Sequence, residues 1–118
     1  MTAQILPLRT DLPRYSFRVE LDGARYEFSM EWNDRAGAWF FDLADAEGDL
    51  IVTSIRVGVD YPLLDSYTDD RIPPGILLAV DSQKLDLDPG RQDLGDRVQM
   101  IYYPIADLSA EVLAIRGK

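Results

Sequence analysis

The stretch YSFRVELDGARYEFSMEW, residues 15–32, decides the fold of this chain. Apolar and polar side chains alternate on both sides of Asp22-Gly23, which is the pattern of two antiparallel strands joined by a tight turn. Asp-Gly suits a type I′ turn, because both central residues need a positive φ and glycine adopts it without a steric penalty. The predicted hairpin has one aromatic face and one polar face. An isolated hairpin is marginally stable in water, so we expect the rest of the chain to cover the aromatic face.

Four further stretches are predicted to form strands, separated by turns and by two long connections. They are residues 38–43, 50–59, 75–81 and 97–103, and the connections are residues 60–74 and 82–96. Gly58 lies inside the second of these strands, where a glycine is typical of a bulge or a bend. Short antiparallel strands of this kind form a small barrel or a sandwich. We expect one domain over residues 1–118 with an all-β, OB-like barrel, because closure removes open strand edges.

The two ends of the chain differ from this pattern. Residues 1–14 carry leucines between Pro7 and Pro13, which indicates an extended arm or an edge segment. The arm could lie on its own domain or on a neighbouring molecule. Residues 104–118 form a tail that is either helical, with Asp107 as the N-cap, or a last strand. We expect a short helical tail.

Composition and charge exclude several classes of function. The 118 residues include no cysteine and no histidine, so disulfides, thiolate zinc sites and histidine-based catalytic triads are excluded. The net charge of −9 disfavours binding to a nucleic-acid backbone. The sequence has no apolar run long enough for a membrane span and no secretion signal, so we expect folding in the cytosol. We predict no cofactor.

Two sets of residues are candidates for chemical sites. The acidic loop around Asp86, Asp88 and Asp93 has a spacing near that of a calcium loop, but Pro89 stands where a ligand is needed and the terminal glutamate is missing. A second set of side chains could stack bases or sugars, as in some OB barrels, or could pack the core. These are the rings of Tyr26, Trp39, Tyr102 and Tyr103. The alternative function is therefore an autonomous barrel that binds oligosaccharide or single-stranded nucleic acid. We predict that the chain is not an enzyme.

The order of the motifs resembles the small plug proteins of contractile-tailed phage baseplates, of the cyanophage type. The resemblance runs from residue 6 to residue 104 and includes the ILPL start, the hairpin followed by Asn33, WFFDL, GVDYPLLDSY and DLGDRVQMIYYP. Trp32-Asn33, Trp39 and the DLG of residues 93–95 are its most specific pieces. Pro62 and the length of the tail depart from the family pattern.

This resemblance implies an OB-like barrel that packs in or on the central hub at the end of the tail tube. It implies a structural role in the virion, several identical copies about the tail axis, assembly in the host cytoplasm, and contacts with the hub and other tail-tip proteins. Interfaces of this kind bury apolar side chains. The candidates, each of which could instead belong to the chain's own core, are Leu6, Leu8, Leu12, Leu63, Leu64, Tyr67, Leu108, Val112 and Ile115.

Overall fold

The computed structural model describes residues 3–59, 62–64, 69–85 and 87–104, and these residues form strands and loops without a helix. The all-β, antiparallel prediction is confirmed. Two antiparallel sheets have the strand orders β2-β3-β4-β5 and β1-β7-β6. The strands are β1 (Gln4–Ile5), β2 (Arg14–Leu21), β3 (Ala24–Asn33), β4 (Ala38–Asp45), β5 (Leu50–Arg56), β6 (Ile76–Asp81) and β7 (Val98–Tyr103).

The hairpin of β2 and β3 forms as its sequence predicts. Its ladder runs without interruption from Arg14 opposite Glu31 to Leu21 opposite Ala24. Asp22 has a φ of 51° and Gly23 a φ of 83°, which is the conformation of a type I′ turn. The alternating pattern therefore sets the register, because a slip by one residue would move every aromatic side chain to the solvent face.

The strand predicted over residues 50–59 is shorter than expected. It ends at Arg56, and its irregularity lies in the β4–β5 ladder, before Gly58. Ser54 has a φ of 57°, and its N–H donates to the Asp42 carboxylate at 2.8 Å. The side-chain acceptor on β4 thus replaces a regular ladder bond, and the bulge forms there.

The predicted OB-like barrel is not confirmed, because among the described residues the two sheets are not closed into a barrel. On one side, Val57 N–H donates to the Trp39 carbonyl at 2.9 Å, and Leu63 N–H donates to the Leu77 carbonyl at 2.9 Å. Between these bonds, Val59 and Ala79 form an isolated parallel bridge. The connections also contain prolines, which cannot donate to a ladder, and continuous pairing between the sheets is interrupted there.

A single hydrophobic core lies between the sheets. The rings of Phe17 and Phe28 stack across β2 and β3 with centroids 5.2 Å apart, and the tilted ring of Phe41 on β4 packs against Phe28 at 5.5 Å. Trp39 is fully buried, and its indole N–H donates to the Gly90 carbonyl at 3.0 Å, which connects β4 to the loop between β6 and β7. The second sheet contributes the side chains Leu77, Ala79, Val98, Met100 and Tyr102.

The N-terminal arm is an edge segment folded onto its own domain. β1 pairs with β7, and the N–H of buried Leu6 donates to the Met100 carbonyl at 2.9 Å. Of the predicted tail, only Pro104 is described. The helix expected within residues 105–118 lies outside the described residues.

Candidate interaction surfaces

A buried ion pair organises the long loop between β6 and β7. Asp81, at the end of β6, is 4% exposed and accepts hydrogen bonds from the N–H groups of Gln83 and Leu85 and from Arg97. Arg97 also donates to the carbonyls of Leu87 at 3.2 Å and Asp88 at 3.3 Å. Burial alone would raise the pKa of Asp81, but the two backbone N–H groups and the guanidinium together lower it.

The acidic loop uses its carboxylates within the chain. Asp93 accepts from the Gly90 N–H at 2.8 Å, and Asp88 accepts from the Val59 N–H at 3.2 Å. Asp86 lies outside the described residues. In the part of the chain that the structure describes, no group of three or more acidic side chains could hold a metal ion. The geometry therefore agrees with a structural acidic turn.

Three of the four rings of the candidate stacking platform lie in the core. Tyr26, Trp39 and Tyr102 are buried, and Tyr103 is half-buried. The Tyr102 hydroxyl donates to the Asp22 carboxylate at 2.5 Å and accepts from the Gly75 N–H at 2.6 Å. Burial and the hydrogen bond to Asp22 raise the pKa of Tyr102. The Tyr102 ring therefore packs in the core, and its hydroxyl joins β7 to Asp22 and Gly75. The faces of the ring are not exposed to solvent.

An open groove of about 300 Å³ crosses the outer face of the four-stranded sheet. Its charged walls are paired: Arg14 lies 2.7 Å from Glu31, and the Asp42 carboxylate accepts from the Ser54 N–H. Met30 and Phe40 supply apolar lining. The lining also includes Ser29 and Ser54, and Ser29 lies opposite Asp42 in the β3–β4 ladder.

The outer face of the three-stranded sheet is mainly apolar. Along β6 and β7, side chains alternate between fully buried and half-buried, and both sets are mainly apolar. Ile5, on the edge strand β1, is 63% exposed. The outward set also contains Gln99, opposite Val80; we call its apolar members the outer apolar face, and they are Ile5, Ile76, Leu78, Val80, Ile101 and Tyr103.

The sequence carries a signal for this face that the prediction of interface residues missed. The sequence of β6, ILLAVD, is an almost continuous apolar run rather than an alternating one. Such a run is typical of a strand that is covered on both sides. In the part of the chain that the structure describes, the core covers one side of β6, and Ile76, Leu78 and Val80 on the other side are half-buried.

The predicted interface residues separate into three groups. Leu6, Leu63 and Leu64 are buried in the chain's own core, and Leu8 packs against that core. Leu12 is 37% exposed. The remaining candidates lie outside the described residues; they are Tyr67, Leu108, Val112 and Ile115.

None of the described residues form a helix with the length and apolar character that a membrane crossing requires. The described residues define a small β-domain with a packed aromatic core, an acidic loop bonded within the chain and a mainly apolar outer face on the three-stranded sheet.

A family model described as the cyanophage baseplate Pam3 plug gp18 matches residues 3–105. The chain belongs to this family, which confirms the resemblance found in its motifs. Membership supports a structural role in a phage baseplate, a location in the virion tail and association with other baseplate proteins, and it is consistent with a protein that is not an enzyme. No curated protein matches the chain.

Proposed function

We propose that this chain packs as a plug in the central hub at the end of a contractile tail tube. Several identical copies surround the tail axis and contact the hub and other tail-tip proteins, after assembly in the host cytoplasm. The outer apolar face is the observation that carries this proposal. It is the surface through which the domain binds its neighbour in the baseplate.

An apolar face that is exposed to water carries a free-energy cost, which binding to a partner removes. Burying apolar surface contributes about 25 cal/mol per Å² to the free energy of binding. Ile5 is the most exposed member of the face, so its burial would contribute the most. The face is continuous across three strands, since Ile5 lies opposite Ile101 and Ile101 lies opposite Leu78. A continuous apolar patch is typical of a protein-binding surface, whereas single exposed leucines are ordinary.

The predicted interface residues differ in what supports them. Leu12 is available on the described part of the chain, and Tyr67, Leu108, Val112 and Ile115 remain predictions. Leu6, Leu63 and Leu64 act indirectly, because they hold β1 and the connection before β6 in the core.

The test is co-purification of this chain with the hub protein encoded beside it, followed by cryo-electron microscopy of assembled baseplates. Ile5→Lys places a charge on the outer apolar face without entering the core, so we expect loss of hub binding with an unchanged melting temperature. Leu50→Lys is the matched control, because Leu50 is 56% exposed on the other sheet. Equal hub binding by both variants would contradict the proposal.

A further inference from the structure

The outer edge of β2 differs from the other strand edges of the molecule. β2 pairs with β3 over its whole length, and among the described residues its other edge pairs with no strand. The opposite edge of the same sheet, β5, is interrupted at Ser54, and Arg71 donates to its Leu50 carbonyl at 3.3 Å. Long, regular edges are templates for pairing with another chain, and natural proteins usually interrupt or cover them.

The hydrogen-bonding groups of this edge are set by the hairpin. In a two-residue hairpin the pair next to the turn, Leu21 and Ala24, is hydrogen-bonded, and hydrogen-bonded pairs then alternate along the ladder. The bond from the Trp32 N–H to the Pro13 carbonyl at 2.8 Å continues the same series. The alternate residues of β2 therefore direct their N–H and C=O groups to the outer edge; they are Arg14, Ser16, Arg18 and Glu20.

The inner face of β2 is incompletely covered. Tyr15, Phe17 and Val19 are half-buried, whereas Phe28 and Phe41, their neighbours on β3 and β4, are fully buried. The three-stranded sheet thus covers the middle of the four-stranded sheet better than its β2 side. A strand added at this edge would extend the sheet and cover these three side chains.

We propose that the occupant is β2 of a second copy of this chain, paired antiparallel about a two-fold axis at Phe17. In this register Phe17 faces its own counterpart and Tyr15 faces Val19 on the apolar side. On the polar side, Arg14 faces Glu20 of the second copy, twice by symmetry, and Ser16 faces Arg18. Opposite charges directly across a ladder are stabilising.

Neighbouring registers are less favourable. A centre at Ser16 places Arg14 opposite Arg18, and a centre at Arg18 places that arginine opposite itself. A centre between two residues brings apolar side chains opposite polar ones on the same face. A centre at Val19 keeps opposite charges together but pairs only residues 17–21 instead of 14–20. The register at Phe17 therefore combines the longest overlap with complementary charge.

The contact is isologous, so it produces pairs of molecules and does not by itself generate a ring. It joins the two four-stranded sheets into one continuous sheet. It uses a strand edge of the four-stranded sheet, whereas the outer apolar face belongs to the three-stranded sheet, and it does not depend on the proposed function. Loss of hub binding and loss of pairing are consequently separate results.

The test reverses, one at a time in the full-length chain, the charges of the two residues that face each other, Arg14 and Glu20. Arg14→Glu and Glu20→Arg each create two like-charge pairs in a homodimer, so we expect the dimer dissociation constant from analytical ultracentrifugation to rise roughly tenfold. An equimolar mixture of the two variants restores opposite charges at both ends of the mixed dimer. Tighter association in the mixture than in either variant alone cannot arise from a folding defect.

A second variant tests the backbone. Ser16→Pro removes an N–H that points to the outer edge and leaves the β2–β3 ladder intact, so the dimer is lost while the melting temperature stays close to that of the Ser16→Thr control. A wild-type chain that sediments as a monomer at millimolar concentration overturns the proposal, as it would if another segment of the same chain covered β2. A dimer that tolerates Ser16→Pro overturns it as well.

Discussion

Gly75 allows β6 to begin directly against β7. A Cβ built at this position would lie 2.1 Å from the Tyr103 carbonyl oxygen and 2.6 Å from the Tyr102 hydroxyl oxygen. The first of these atoms belongs to the backbone, which cannot move without disturbing the β6–β7 ladder. The glycine is therefore required by close approach of the chain and not by an unusual φ.

We predict that Gly75→Ala destabilises the domain by about 2–3 kcal/mol, because overpacking forces the backbone of β7 to shift. Urea unfolding monitored by circular dichroism measures this change. Gly48→Ala is the control: Gly48 has a φ of +87°, but a Cβ added there would meet no heavy atom within 4 Å, so only conformational strain of about 1 kcal/mol applies. Equal losses in the two variants would contradict the role given to close packing.

Asp81 makes stability depend on pH. Its pKa in the folded protein lies below its ordinary value of 3.8, because hydrogen bonds and Arg97 outweigh the effect of burial. The folded state therefore binds this proton more weakly than the unfolded state. The stabilisation is complete above the unfolded pKa and is lost as the pH falls below about 4 toward the folded pKa.

We predict that Asp81→Asn lowers the melting temperature at pH 6 by on the order of 10 °C, because it leaves Arg97 without its buried anionic partner. Between pH 6 and pH 3 the variant loses less stability than the wild type. Asp69→Asn is the control: hydrogen bonds from Arg71 lower the pKa of Asp69 to about 2, but this pair is exposed and contributes little. Wild type and Asp81→Asn with parallel pH profiles would refute the argument.

At the scale of one strand, the bulge in β5 places Ser54 in a strained backbone conformation. Its left-handed backbone, with a φ of 57°, lets β5 bulge while its N–H reaches Asp42. A serine in this conformation carries strain that a glycine does not.

We predict that Ser54→Gly stabilises the protein by about 0.5–1 kcal/mol, since the relief of strain exceeds the entropy that glycine adds to the unfolded chain. Ser54→Ala keeps the Cβ and gives no gain. Thermal unfolding of both variants distinguishes them, and a destabilised Ser54→Gly would show that the serine side chain matters more than its φ.

The sequence predicts best those elements whose conformation is determined by residues close together in the chain. The alternation from Tyr15 to Trp32 and the Asp22-Gly23 turn specify the hairpin within a short stretch, and its register follows. The bulge expected at Gly58 forms earlier, at Ser54, because its N–H donates to the Asp42 carboxylate on the preceding strand. The hydrophobic pattern of the sequence does not reveal that a single backbone N–H bonds to a side chain instead of the neighbouring strand.

At the scale of the whole molecule, contacts between distant residues decide the architecture. The pairing of β1 with β7 and the tie between Trp39 and Gly90 join parts of the chain that share no local pattern. Sequence reasoning therefore predicts an antiparallel β-domain but not the division into two sheets. The same limit applies to the candidate surfaces: leucines such as Leu6 and Leu63 look alike in the sequence whether a core or a partner buries them.

We predict that the two sheets unfold as one unit, because they share a single core. Trp32 and Trp39 contact each other with ring centroids 5.8 Å apart, so their fluorescence reports on the packed core. Far-UV circular dichroism reports on both sheets. The two urea transitions should coincide; a dichroism transition that precedes the loss of fluorescence would show that the three-stranded sheet melts on its own.

The pairing of Gln4 with Tyr102 has a consequence for biosynthesis. Of the seven described strands, the first to leave the ribosome must wait for the last, while the meander of β2 to β5 can fold as it emerges. Until β7 is released from the exit tunnel, β1 and the apolar strand β6 have no strand to pair with. A pause in translation before β7 has left the tunnel would therefore expose the nascent chain to chaperones and to aggregation, whereas a pause after its release would not.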